Sequence, residues 1–97
     1  MNRAEHLLSC LAEECAEVAQ RVSKALRFGL SEVQPGQPLN NAQRIVYELG
    51  DLMSVAIMLQ EDGVLPEPAE DFDELLAAKR VKVEFYMAFS REQGVLD

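Results

Sequence analysis

The stretch Asn41–Asp62, NAQRIVYELGDLMSVAIMLQED, decides how this chain folds. Ile45, Leu49, Leu52, Ala56 and Leu59 recur at helical spacing and make one apolar stripe, while Val46, Met53, Ile57 and Met58 are apolar on other sides. A helix that is apolar nearly all round is central, covered by neighbours from its own chain or from a partner. Asn40 or Asn41 opens it as a cap, and Gly63 lies just past its end. Inside this apolar run stand Glu48 and Asp51. Charge set into a segment built for burial is the feature from which function has to be read.

Upstream, Arg3 to Phe28 reads as a second uninterrupted helix, with Asn2 as its cap and Gly29 as its stop. Leu8, Leu11, Cys15, Val18, Val22 and Leu26 alternate three and four apart, so the predicted core direction runs along them. By that reading Glu14 lies on the border of the stripe and Glu17 beyond it; Glu48 borders the stripe of its own helix, with Asp51 further round. The intervening Leu30–Asn40 contains Pro35, Gly36 and Pro38 and is a loop. Downstream, Gly63–Pro68 is a second connector. Acidic residues between Glu67 and Asp73 precede a third helix through Leu75, Leu76, Val83 and Phe85 to about Gln93, ended by Gly94. No repeat and no strand pattern is present. The expectation is an all-α fold: an antiparallel helical bundle of three main helices per chain, residues 1–97 forming one domain, completed as a four-helix-type bundle by dimerisation.

Composition narrows the function. A net charge of −8 argues against general binding to nucleic-acid backbones, which takes a dense basic surface. An anionic substrate stays open, because a bound cation reverses the local sign of a site. A chain of 97 residues buries a smaller share of its surface than a larger domain, which favours a homodimer, or a tetramer made of two dimers. Cys10 and Cys15, the two cysteines, match no zinc spacing and are expected to be buried, reduced thiols. No apolar run preceded by basic residues opens the chain, and none is long enough to span a bilayer, so no secretory leader, no membrane partner and a cytoplasmic setting (host cytoplasm if phage-encoded) are expected.

Two acidic groups carry the chemistry: Glu13-Glu14-x-x-Glu17 in the first helix and Glu48-x-x-Asp51 in the second. Residues three apart stand about 60° apart around a helix, close enough to grip one ion. If the two helices pack antiparallel, four carboxylates converge at the edge of the bundle. Clustered carboxylates repel one another and lose hydration, and hard cations relieve both costs. An all-oxygen shell suits Mg²⁺, or Mn²⁺, and Mg²⁺ retains waters and binds substrate phosphates. The plain alternative is a set of solvated helix charges, which is weaker for a pair inside an apolar helix.

EECAE at 13–17 and ELGD at 48–51 resemble the EExxE and ExxD motifs of the MazG-like all-α nucleoside triphosphate pyrophosphohydrolases. SKALRFG, NNAQRIVYELGDL and AAKRVKVEFY are similar to the small phage-type and bacterial members, and the likeness runs from about Leu11 to Tyr86. The resemblance implies a nucleotide pyrophosphohydrolase that converts a (deoxy)nucleoside triphosphate and water to monophosphate and pyrophosphate. A metal-activated water attacks the α-phosphorus. It implies Glu14, Glu17, Glu48 and Asp51 as Mg²⁺ ligands, with Glu13 orienting the attacking water or helping to hold a further ion. Lys24, Arg27, Lys79 and Lys82 would meet the triphosphate, Phe28 would pack near the base or close the core, and Tyr86 would lie nearby. Asn41 would contact substrate or serve as a helix cap. Two departures stand out: the interval from Glu17 to Glu48 is longer than in compact members, and Val83 stands near the place where relatives that recognise deoxycytidine-type nucleotides carry Asn. The alternatives are a phosphoribosyl-ATP pyrophosphohydrolase, and a non-catalytic helical protein that binds a nucleotide or a partner.

Overall fold

The computed structural model describes all of Met1–Asp97: three α-helices, α1 (Arg3–Phe28), α2 (Asn41–Glu61) and α3 (Phe72–Glu92), and no strand. Two compact units divide the chain, Met1–Pro66 and Glu67–Asp97.

The first unit is a hairpin of α1 and α2 whose ends are set by local chemistry. Asn2 and Asn40 each make a full capping box. The Asn2 side chain accepts from the Glu5 amide at 2.8 Å while Glu5 reaches back to the Asn2 amide at 3.1 Å. Asn40 and Gln43 repeat the exchange at 2.8 and 2.9 Å. Gly29, at φ 98°, ends α1 in a conformation that side chains with a Cβ resist. The helices run antiparallel: Arg3 pairs with Asp62 at 2.7 Å at one end, and at the other the Asn41 side-chain amide donates to the Gly29 carbonyl at 2.8 Å. The connector is stitched to α2 by the Asn41 and Ala42 amides, which donate to the carbonyls of Glu32 and Leu30 at 3.1 and 3.0 Å.

The expected helix limits are met closely, but the inward face of α1 is not the expected one. Its buried and half-buried positions include Leu7, Leu11, Glu14, Val18, Arg21 and Ala25, spaced four and three apart. Leu8, Cys15, Val22 and Leu26 of the predicted stripe, together with Ala12 and Ala19, form a parallel row one residue further round, and that row is exposed. The physical reason is that α1 is apolar over a wide arc, wider than one packed helix can cover. Periodicity finds the arc but not which edge α2 takes. Glu14 therefore sits within the inward row rather than on its border. Cys15 is exposed and Cys10 half-buried, which corrects the expectation of two buried thiols.

On α2 the inward row is Ile45, Glu48, Leu52, Val55 and Leu59, with Leu59 fully buried. Val46, Leu49, Met53 and Ile57 make a second, exposed row. Thus Leu49, expected inward, faces out. Asn40, not Asn41, is the cap; Asn41 is 2% exposed and serves as the clamp between the ends of α1 and α2.

The second unit is α3 with its flanks. Asp73 and Glu74 place negative charge in its first turn, where the helix dipole favours it, and Arg91 lies in its last turn. No residue of α3 is fully buried, and its apolar side chains, Phe85 and Phe89 among them, are exposed.

Candidate metal centre

The antiparallel pairing brings the middle of α1 level with the middle of α2, and there the acidic groups meet. One carboxylate oxygen each from Glu14, Glu17 and Glu48 lie within 4.8 Å of one another, and all three residues are half-buried. Two of these side chains are left incomplete: Glu14 Oε2 and Glu48 Oε2 are shut off from solvent without a hydrogen-bond partner. A buried acceptor without a donor costs free energy, so such a pair has to be explained.

The electrostatics agree. Burial pushes the Glu14 carboxyl above its ordinary 4.5, helped by the charges of Glu17, Asp51 and Glu13 in that order. Burial also raises Glu48, followed by a hydrogen bond shared with Glu17 and by the charges of Glu17, Asp51 and Glu14. Desolvation and like charge both disfavour the anionic forms. A hard divalent cation removes both penalties at once, and a carboxylate-only donor set with orphaned buried oxygens fits Mg²⁺ or Mn²⁺. Asp51 is exposed and outside the tight group of three oxygens, yet near enough for its charge to act on both Glu14 and Glu48. Glu13 is exposed beside Glu14.

Lys24, Arg27, Phe28 and Asn41 come together at the loop end of the hairpin, where with Glu32 and Gln34 they line a cavity of about 380 Å³. The Arg27 guanidinium lies 5.1 Å from the centre of the Phe28 ring, a cation–π contact. Asn41 belongs to the wall of this cavity while its amide group holds Gly29. Arg44 closes one side by donating to Gln34 at 3.1 Å. In the second unit, Lys79, Lys82 and Tyr86 share a cleft of about 340 Å³ on α3 with Val83, Met87 and Ser90. The Tyr86 ring meets Phe85 edge-on at 5.3 Å.

One polar residue of the inward row was not singled out by motif. Arg21 Nη1 is the third buried, unpartnered side-chain atom of the chain, after the oxygens of Glu14 and Glu48. Its signal is present in the sequence: Arg21 follows Glu14 by seven residues, on the same apolar period, and is as discordant there as Glu48 is in α2.

Comparison with curated proteins and with solved structures gave no match. Comparison with protein families gave one: residues 2–64, more than half of the chain, match the model of the MazG nucleotide pyrophosphohydrolase domain. The matched segment contains α1, the connector and α2, and with them all the acidic residues described above. The chain is therefore a member of the MazG nucleotide pyrophosphohydrolase domain family.

Proposed function

We propose that this protein hydrolyses nucleoside triphosphates to nucleoside monophosphate and pyrophosphate, with a divalent cation, Mg²⁺ or Mn²⁺, held by Glu14, Glu17, Glu48 and Asp51. The observation that carries this reading is the pair of buried, unpartnered oxygens of Glu14 and Glu48, set against Glu17 in a MazG-family hairpin. The cation, when bound, supplies neutralising charge for the phosphates and acidifies water for attack on the α-phosphorus.

The chain's own residues do the rest. Glu14, Glu17 and Glu48 fix the position of the positive charge, because two helices braced at both ends hold them. Glu13, exposed one residue before Glu14, is free to orient a water. Lys24 and Arg27 bring positive charge to the rim of the cavity at the loop end, and Phe28 offers a ring to a base there. Lys79, Lys82 and Tyr86 are the proposed contribution of α3, so the functional domain is the whole of residues 1–97.

A homodimer, or a pair of such dimers, is part of the proposal. The chain alone exposes 7534 Å², whereas a self-contained protein of its mass exposes about 5,500 Å². The excess is of the size buried in obligate dimers. The outward rows of α1 and α2 are apolar and spaced in threes and fours, as helix–helix seams require.

The test is a panel of canonical and damaged triphosphates, with pyrophosphate release measured with Mg²⁺ and with EDTA. The expected result is cation-dependent release, lost in Glu48→Gln and Asp51→Asn variants whose fold and assembly are kept. Unchanged turnover in both variants would overturn the reading.

A further inference from the structure

The inward rows of α1 and α2 contain three charged residues, Glu14, Arg21 and Glu48, among apolar neighbours. Those same three own all the buried side-chain polar atoms that lack a partner. Two are acceptors of negative charge and one is a donor of positive charge. They have not satisfied one another: the chain's one ion pair is Arg3–Asp62, and Arg21 makes no hydrogen bond. A hairpin whose orphaned groups are two carboxylate oxygens and a guanidinium nitrogen is complementary to a ligand that is itself a cation joined to an anion. A bare metal ion would leave Arg21 orphaned, and a bare anion would leave the carboxylates so.

The placement is consistent with one elongated ligand. Arg21 is one helical turn beyond Glu17 and two beyond Glu14, on the same edge of α1, toward the cavity lined by Lys24 and Arg27. Long side chains on a helix lean toward its N-terminus, so the Arg21 arm covers the turn between itself and Glu17. A guanidinium is always charged at working pH and makes charge-assisted hydrogen bonds to phosphate oxygens. We infer that Arg21 is a substrate-binding residue that grips the polyphosphate next to the carboxylate-held cation, linking the metal centre to the cavity at the loop end. This assignment rests on the reading of the hairpin as a nucleotide site.

The test uses the full chain and inorganic tripolyphosphate as probe, with binding followed by calorimetry in Mg²⁺ for the wild type, Arg21→Gln and Arg21→Lys. Binding of Mn²⁺ alone is measured beside it. The expected result is a loss of tripolyphosphate affinity of about tenfold or more in Arg21→Gln. Arg21→Lys recovers part of it, and Mn²⁺ affinity stays as in the wild type. On whichever triphosphate the wild type turns over, Arg21→Gln raises KM more than it lowers kcat. Equal tripolyphosphate binding by wild type and Arg21→Gln overturns the assignment, as does a matching loss of Mn²⁺ affinity, which would make Arg21 a support for the carboxylates. A change of oligomeric state with binding intact also overturns it, assigning the free nitrogen to a second copy. If Arg21→Gln does not fold, Arg21→Lys decides alone: binding equal to the wild type, or weakened along with Mn²⁺, overturns the assignment. Tripolyphosphate bound through Arg21 without hydrolysis of any triphosphate overturns the proposed reaction but not the role of Arg21. Absence of any tripolyphosphate binding in the wild type overturns both.

Discussion

Glu17 of α1 and Glu48 of α2 share a hydrogen bond across the hairpin, an arrangement that two carboxylates sustain only with a proton or a cation between them. The apo hairpin is therefore held in a state that its own charges oppose. Replacing Glu48 by Gln removes one charge and keeps the shape. The expected outcome is a higher melting temperature in EDTA together with a fall in pyrophosphate release of about 100-fold or more. Thermal denaturation and a turnover assay on the same preparation check it; a lowered melting temperature or retained turnover contradicts it.

The pH dependence has a definite sign. Glu14 and Glu48 have folded-state pKa values above their ordinary 4.5. The folded form thus binds protons more tightly than the unfolded one. Their contribution to stability grows as pH falls from neutral through the raised values, and levels off below the ordinary one. Metal-free protein should gain melting temperature across that window, before other carboxylates begin to cost stability. Added Mg²⁺ should raise the melting temperature most at neutral pH and progressively less on acidification, because protons and cation compete for the same oxygens. A Mg²⁺ increment that grows toward acid would be the wrong sign.

Asn41 is a structural residue wherever else it acts. Asn41→Ala deletes the clamp onto Gly29 and leaves that carbonyl short of a donor, so unfolding free energy should drop by about 1–3 kcal/mol in a denaturant titration. Asn40→Ala, which removes only a cap, should cost about 1 kcal/mol. The reverse order would place the cap, not the clamp, at the centre of the hairpin's stability.

Lys79 and Lys82 are exposed on α3, and their proposed part is to attract the phosphates rather than to act in the reaction step. Lys79→Ala and Lys82→Ala should each raise KM severalfold and leave kcat nearly unchanged, the mark of binding lost equally from ground and transition states. Steady-state kinetics at low and high salt check this, and the difference from wild type should shrink as salt screens the charge.

The outward rows make the assembly testable. Met53→Glu, on a side chain 58% exposed in the isolated chain, should leave the hairpin folded and shift the protein toward monomer in light scattering. Wild-type protein that is already monomeric at micromolar concentration removes the reason for the prediction.

Much of this was legible in the residues. Asn2 with Glu5, Asn40 with Gln43, and Gly29 mark helix ends by chemistry that acts within four residues, so the boundaries could be read locally. EECAE and ELGD named the carboxylates for the same reason. The inward edge of α1 was harder, because Leu8, Leu11, Cys15, Val18, Val22 and Leu26 satisfy helical periodicity equally well whichever side is covered. Only the partner helix breaks the tie. That ambiguity hid Arg21, which looks like a surface charge until Leu7 and Ala25, at either end of its row, are known to be buried. The adjacent Asn40 and Asn41 are identical in type and were separable only by geometry: one bonds forward to its own helix, the other back to Gly29.

The inward and outward rows of α1 differ by a single step along the chain. Adding or removing one residue between Glu14 and Arg21 would swing them out of phase by about 100°, sending the guanidinium to the outer surface while the carboxylate stayed in place. The helices of such a hairpin tolerate substitution but not changes of length. Evolutionary growth is confined to the Pro/Gly segment joining them, where extra residues leave the phase of both helices intact. The long interval between the two acidic motifs in this chain is a change of that permitted kind.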